Sequence, residues 1–129
     1  MRINVTTDKG IEGTIEVLEM ESSGRVPIVF YSPELGKAAQ GFLDTSRPKE
    51  NVRDLHTNEG VRRKGIATAI MLQMETEALL RGITKLGVTT NRDNIPARGL
   101  YNKLGFVNTG DTMHPEIGEA VSFELELTR

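Results

Sequence analysis

Apolar residues recur every four positions in the middle of the chain, from residue 66 onward. The recurring positions are Ile66, Ile70, Met74 and Ala78, with Ala67, Met71 and Leu79 beside them. This spacing places the apolar side chains on one face of an α-helix. The helix is predicted to end near Arg81-Gly82, because glycine readily adopts the left-handed conformation of a C-terminal cap.

Short segments rich in β-forming residues alternate with helical segments through the second half of the chain. The predicted strands are NVRDLHT (51–57), KLGVTTN (85–91) and AVSFELEL (120–127). A second helix is predicted after Asn94, its N-cap, with Pro96 in the first turn and Gly105 beyond its end. The order strand, helix, strand, helix, strand indicates a sheet with helices packed on it.

The first half of the chain predicts mainly strands. Two strands are expected within residues 13–32, on either side of Ser22-Ser23-Gly24, and a further strand over residues 36–45. Residues 7–25 fit either a helix or a strand, because Ile11, Ile15 and Leu18 also form a helical stripe. Gly13, Thr14 and Val17 disfavour a helix, so strand is the preferred prediction.

Composition limits the classes of protein to consider. A chain of 129 residues with 37% hydrophobic and 26% charged residues predicts one globular domain over residues 1–129. The net charge of −2 and a pI near 5.7 argue against a nucleic-acid partner. The absence of cysteine excludes disulfides, thiolate metal sites and a cysteine nucleophile. His56 and His114 lie far apart in the sequence, so no metal is expected.

The sequence has no feature that predicts export or membrane insertion. The start, MRINVTTDKG, lacks the apolar run of a signal peptide. No stretch of about 18 uncharged apolar residues occurs either. We therefore expect a cytoplasmic protein without a membrane partner.

A cluster of basic residues stands where the first helix begins, in VRRKGIATAIM (61–71). Cations are disfavoured at a helix N-terminus, because the helix dipole is positive there. Arg62, Arg63 and Lys64 are explained if an anion shares the site, since unpaired backbone N–H groups at a helix start bind phosphate readily. Gly65 would let such an anion approach the backbone closely. The alternative is a solvated basic turn.

A second motif follows on the second helix, in NIPARGLYNKLGF (94–106). Together the two segments resemble the GNAT superfamily of acetyl-CoA-dependent N-acetyltransferases. In that family Arg/Gln-x-x-Gly-x-Gly/Ala begins the helix after strand four, and Asn-x-x-Ala-x-x-x-Tyr-x-x-x-Gly-Phe follows on the next helix. Both patterns match without a gap and in the right order, and the resemblance covers Val52 to about Phe106.

The resemblance implies a fold and a cosubstrate. The fold is α/β (α+β): a mixed, mostly antiparallel central sheet with helices on both faces, here with a strand-rich and shortened N-terminal half. The cosubstrate is acetyl-CoA. The implied cofactor-binding residues are Leu55, His56, Thr57, Arg62, Arg63, Lys64, Gly65, Ile66, Ala67, Asn94, Arg98 and Lys103.

The resemblance assigns these residues to different parts of the cofactor. Leu55-His56-Thr57 would pair with the pantetheine arm through the backbone, and the backbone N–H groups of residues 62–67 would hold the pyrophosphate. Asn94 matches a cofactor-contacting asparagine and is equally explained as an N-cap. Arg98 and Lys103 are candidates for the adenosine 3′-phosphate, or they simply solvate a helix face.

Tyr101 matches the general acid of the family, which protonates the departing CoA thiolate. Its alternative role is to pack in the core. The general base is not assigned, because Thr89 occupies the strand-five position where ribosomal-protein N-terminal acetyltransferases carry glutamate. The candidate bases are the nearest titratable residues, Asp54, His56 and Glu59, and His114 could reach the acceptor from a loop. The oxyanion would rely on backbone N–H groups at a bulge in strand four.

The function implied is transfer of an acetyl group to a primary amine by direct attack in a ternary complex. The acceptor is either a small molecule or a peptide or protein. The family's two helices between its first strands have no room here, so an open groove is expected, unless a homodimer partner encloses the acceptor. The alternative function is a catalytically silent acyl-CoA-binding module.

Overall fold

The computed structural model describes residues 1–58 and 65–127. Its strands are β1 (Arg2–Thr6), β2 (Glu12–Val17), β3 (Arg25–Ser32), β4 (Gly36–Asp44), β5 (Val52–Thr57), β6 (Lys85–Asn91), β7 (Val107–His114) and β8 (Gly118–Glu126). Its helices are α1 (Ile66–Leu80) and α2 (Ile95–Lys103). Arg62, Arg63 and Lys64 of the basic cluster, and Glu59, lie outside the described residues.

The first five strands form one antiparallel sheet in sequence order. Residues 1–58 contain no helix, so strand was the correct prediction for the ambiguous region 7–25. A short turn over residues 7–11 joins β1 to β2, where the backbone N–H of Thr7 donates to Ile11 O and the Thr7 hydroxyl accepts from Lys9 and Ile11 N–H. The hairpin therefore takes the place of the two helices that the family normally has here.

Helix α1 confirms the predicted apolar stripe. Ile66, Ile70, Met74 and Ala78 are all at most 1% exposed and face the core. The helix packs on β3, β4 and β5, and Gly41 of β4 lets it approach closely, since a side chain there would meet Ile70, Met74 and Leu55. Gly82 ends the helix with φ of 76°, as the sequence predicted.

The last three strands form a separate antiparallel sheet in the order β6-β8-β7. Strands β6 and β8 were predicted, but β7 was not. Seven of its eight residues are exposed, so it has no apolar alternation from which a strand could be inferred. His114 is therefore the last residue of a strand and not part of a loop, which corrects the expectation from sequence.

Asn51 joins the two sheets. Its buried side chain donates to Lys85 O at 2.8 Å and accepts from Gly87 N at 2.9 Å. Beyond this joint β5 and β6 belong to different sheets. Side chains from both sheets and both helices nevertheless share one hydrophobic core.

The predicted α+β fold is confirmed, with antiparallel strands and two helices. It is divided into two sheets where one central sheet was expected. Neither α1 nor α2 combines the length and the apolar character needed to cross a membrane.

Candidate active site

A cavity of about 670 Å³ lies between β5, the start of α1 and helix α2. It brings together nine residues that the sequence assigned to the site, namely Leu55, His56, Thr57, Gly65, Ile66, Ala67, Asn94, Tyr101 and Lys103. Arg98 is not among the lining residues, and its guanidinium donates to Arg92 O at 3.0 Å. The two motifs, separated by about thirty positions in the sequence, thus face one space.

Strand β5 presents its outer edge to this cavity, because it is the last strand of its sheet. The pairing with β4 shifts register between Gln40 and Phe42, and Asp54 adopts a positive φ of 49°. An extra residue in one strand is a β-bulge, which bends that strand. The bulge predicted for this strand is therefore present, at Asp54-Leu55.

The bulge separates two candidate residues. Leu55 points towards α1, whereas the exposed carboxylate of Asp54 forms an ion pair with Arg25, which stacks over the Phe42 ring. Asp54 does not line the cavity. His56 does line it and is exposed, so of Asp54 and His56 only His56 reaches the cavity.

The start of α1 has the features of an anion site. Gly65 is the N-cap residue, and no side chain caps the helix. Its φ of 79° lies in the left-handed region that favours glycine. The Asp8 carboxylate fits against Gly65, in space that a Cβ atom would need. The backbone conformation therefore favours glycine here independently of any ligand, and a Cβ atom would displace the Asp8 carboxylate.

Helix α2 supplies the other wall. The Asn94 side chain accepts a hydrogen bond from Ala97 N at 3.2 Å, which confirms the predicted N-cap. At the far end Lys103 lines the cavity and contacts Asp8 at 3.1 Å. Lys9, from the β1–β2 turn, also lines this end of the cavity, so three charged side chains meet here: Lys9, Lys103 and Asp8. Neither Asp8 nor Lys9 was singled out from the sequence.

Tyr101 lines the cavity and is only 4% exposed. Its ring lies 5.4 Å from that of Phe106 and 5.8 Å from that of Phe123, between ring centroids. Burial raises the pKa of Tyr101 to about 12, because the charged phenolate is poorly solvated there. The phenol is therefore neutral at physiological pH.

A group of polar side chains that the sequence did not reveal lies around Glu50, just before β5. Its carboxylate contacts Arg53 at 3.0 Å, Thr89 at 3.2 Å and His114 at 3.3 Å. These partners come from three different strands. The group therefore forms only when segments that are distant in the sequence pack together. Within the described ranges 1–58 and 65–127, no set of three or more His, Cys, Asp or Glu side chains is arranged to hold a metal.

Comparisons with known proteins identify the family of the chain. The model of the acetyltransferase (GNAT) family matches residues 29–106, more than half of the chain. The chain belongs to the GNAT acetyltransferase family. No curated protein matches this acetyltransferase.

Solved structures share its fold. The acetyltransferase is similar to the ribosomal-protein-S18-alanine N-acetyltransferase from Escherichia coli, with a TM-score of 0.75 and 16% identity over 91% of this chain and 95% of that one. Ard1 from Thermoplasma volcanium has a TM-score of 0.70 and 17% identity, over 80% and 71%. A Bacillus subtilis acetyltransferase in complex with CoA has a TM-score of 0.68 and 18% identity, over 83% and 80%.

Proposed function

We propose that this GNAT acetyltransferase is a cytoplasmic enzyme that transfers the acetyl group of acetyl-CoA to a primary amine by direct attack in a ternary complex. The observation that carries the proposal is one cavity that unites the uncapped start of α1, the outer edge of β5 and the buried phenol of Tyr101. The similarity to an acetyltransferase in complex with CoA supports the choice of cosubstrate.

The cavity offers a different contact to each part of acetyl-CoA. The pantetheine arm would add to the edge of β5 at residues 55–57 through backbone hydrogen bonds. The diphosphate would lie at the start of α1, where the backbone N–H groups and the helix dipole favour an anion. Lys9 and Lys103 line the same cavity and add positive charge, which partly offsets the nearby Asp8.

Tyr101 would act when the carbon–sulfur bond breaks. A thiol of the CoA type has a pKa near 8.5, so the thiolate is a weaker base than a phenolate with a pKa of about 12. Complete proton transfer from the phenol is therefore uphill. The phenol stabilises the developing thiolate first as a hydrogen-bond donor, and the proton follows as the bond breaks.

The acceptor would approach as a primary amine of a small molecule or of a peptide or protein. An open groove suits a peptide, since five strands and no helix precede α1 in residues 1–58. A second copy of the chain could enclose a smaller acceptor by forming a homodimer. No metal, nucleic acid or membrane is part of this proposal.

The test is a thiol-release assay with acetyl-CoA against a panel of small amines, free peptides and Nα-blocked lysine peptides, with calorimetric CoA binding measured in parallel. Release of CoA together with formation of an acetylated amine is the expected result. CoA binding without turnover on any amine would identify a catalytically silent acyl-CoA-binding module. Absence of CoA binding would overturn both.

A further inference from the structure

A second cavity, of about 320 Å³, lies between the loop before β5 and the β7–β8 hairpin. The polar groups on its walls are Lys49, Glu50, Thr89, Thr109, Thr112, His114, Ser122 and Glu124. Most are hydroxyls and carboxylates. The hydroxyl and carboxylate oxygens of this lining are hydrogen-bond acceptors, which suit a protonated amine. The Glu50 carboxylate is shared with Arg53, at 3.0 Å.

This cavity adjoins the face of the second sheet opposite Tyr101. Val88 and Phe123 are ladder partners buried in the core, and Phe123 packs against Tyr101. The next partners, Thr89 and Ser122, point to the other face, because side chains alternate along a strand. They line the second cavity and their hydroxyls lie 3.0 Å apart. The two cavities therefore lie on opposite faces of the second sheet.

His114 holds Glu50 in one orientation. Its Nδ1 accepts hydrogen bonds from the backbone N–H groups of Glu116 and Ile117, at 3.1 Å and 3.3 Å. The proton of the neutral ring is therefore on Nε2, which faces the Glu50 carboxylate at 3.3 Å. His114 thus has no free lone pair for a substrate proton and acts on Glu50 instead.

Given the proposed acetyl transfer, we propose that Glu50 binds the ammonium group of the acceptor in this cavity and takes its proton, with His114 and Thr89 as positioning residues. Glu50 directly precedes Asn51, the joint at which β5 and β6 begin to separate. An amine held by Glu50 therefore reaches the thioester through the gap between these strands. It approaches from the face opposite the cofactor.

The protons and electron pairs balance in this scheme. The ammonium gives one proton to Glu50, which releases it to water. The neutral nitrogen forms the carbon–nitrogen bond, and the carbon–sulfur bond breaks with its electron pair on sulfur, which Tyr101 protonates. The second proton, lost as nitrogen becomes an amide, restores the phenol through solvent.

The kinetic test replaces Glu50 by its isostere, Glu50→Gln, with Glu119→Gln as the matched control. Glu119 is exposed on β8 and lies outside both cavities, so the control removes the same charge at a position away from the proposed site. Measured by thiol release at neutral pH, kcat/KM for the amine should fall about 10²–10⁴-fold in Glu50→Gln. KM for acetyl-CoA should stay within about twofold in both variants.

The pH profile separates a proton acceptor from a structural carboxylate. The charged groups around Glu50 are Arg47, Arg53, Lys49, His114 and Glu124, and the substitution leaves all of them in place. The deficit of Glu50→Gln should shrink as solvent supplies free amine, near pH 8 for a peptide terminus and near pH 10.4 for a lysine side chain. A deficit that does not change with pH, or a profile equal to that of Glu119→Gln, would overturn the assignment.

A binding experiment tests the Glu50 site separately from the acetyl transfer on which the proposal rests. Propylamine is added to the CoA-loaded protein, and the NMR signals of the backbone amides of Thr89, Thr112 and Ser122 should shift. Uncharged N-propylacetamide should leave these signals unchanged. Amine binding here without turnover on any amine would refute the acetyl transfer and retain the amine site. Turnover in the wild type without these shifts would refute the Glu50 site alone.

Discussion

Tyr101 is both a core residue and a candidate acid, and its substitution by phenylalanine separates the two roles. The ring contacts to Phe106 and Phe123 remain in Tyr101→Phe, so the core role alone predicts near-normal turnover. The acid role predicts a fall in kcat of about 10²–10⁴-fold at neutral pH, with acetyl-CoA affinity close to that of the wild type. Thiol-release kinetics and calorimetry measure the two quantities.

The pH dependence sharpens this prediction. Because the pKa of Tyr101 is about 12, the phenol keeps its proton throughout the assay range. The thiolate leaves more easily without help once the pH passes about 8.5, so the deficit of the variant should decrease as pH rises. Tyr31→Phe, which removes the other tyrosine hydroxyl on β3, is the matched control and should retain activity. Full activity of Tyr101→Phe with chemistry rate-limiting would exclude the acid role.

Gly65 is a poorer probe of the cofactor site than the sequence suggested. A valine there would adopt a strained positive φ and would collide with Asp8 and Thr7. Loss of CoA binding in such a variant would therefore report loss of local structure as well as loss of contact with the diphosphate. Substitutions of Lys9 or Lys103 avoid this ambiguity.

The loop between β4 and β5 is held at both ends. Burial by itself would raise the pKa of Asp44, but hydrogen bonds from the Ser46 hydroxyl and backbone and the charges of Arg47 and Arg53 outweigh it and lower that pKa. The stability that the ionised carboxylate provides is thus present above the unfolded pKa, near 3.9, and is lost as pH falls through the lower folded value. This anchor fixes the loop that carries Glu50.

At the other end of this loop, Asn51 joins the two sheets, and its removal should be costly. Asn51→Ala would leave Gly87 N without its partner in a buried position and Lys85 O without its partner in a partly buried one. Each buried unsatisfied group costs about 1–3 kcal/mol, so the free energy of unfolding should fall by roughly 2–5 kcal/mol. Urea unfolding measures this loss.

The control for Asn51→Ala is Asn102→Ala, at an exposed position of α2. It should change the free energy of unfolding by less than about 0.5 kcal/mol, as surface substitutions usually do. Equal effects of the two substitutions would show that Asn51 does not hold β5 against β6. A loss of stability in Asn51→Ala alone would show that Asn51 holds the two sheets together next to Glu50.

CoA should stabilise the whole molecule, because its cavity is formed by the β1–β2 turn, β5, α1 and α2 together. At a concentration 100 times its Kd, CoA is expected to add about 2.7 kcal/mol to the free energy of unfolding. For a chain of this size the corresponding rise in Tm is about 10 °C. Differential scanning fluorimetry measures it.

The contribution of the phosphates follows from a comparison with pantetheine. Pantetheine lacks the diphosphate and the 3′-phosphate, so at the same concentration it should raise Tm far less than CoA. Added salt should narrow the difference by screening the cations around the start of α1. Equal stabilisation by both compounds would leave Arg62, Arg63 and Lys64 as a solvated basic turn.

Local sequence patterns specify the elements whose residues lie close together in the chain. The apolar stripe of α1, the Asn94 cap, the glycine after α1 and the strand at 85–91 were all predictable, because helix and strand periods act over a few positions. The two motifs also indicated the family. Strand β7 escaped prediction, because an exposed edge strand has no buried face to impose an alternating pattern.

Only the tertiary structure decided which distant side chains meet. Glu50 contacts Thr89 and His114, which are 39 and 64 positions away, and Lys103 contacts Asp8 across 95 positions. Such contacts depend on how the bulge bends β5 and on how Asn51 joins two sheets that then separate. No local pattern encodes that geometry, because each contact results from packing of the whole core. The cofactor motifs can therefore be read from the chain, whereas only the folded structure brings the Glu50 carboxylate beside Thr89 and His114.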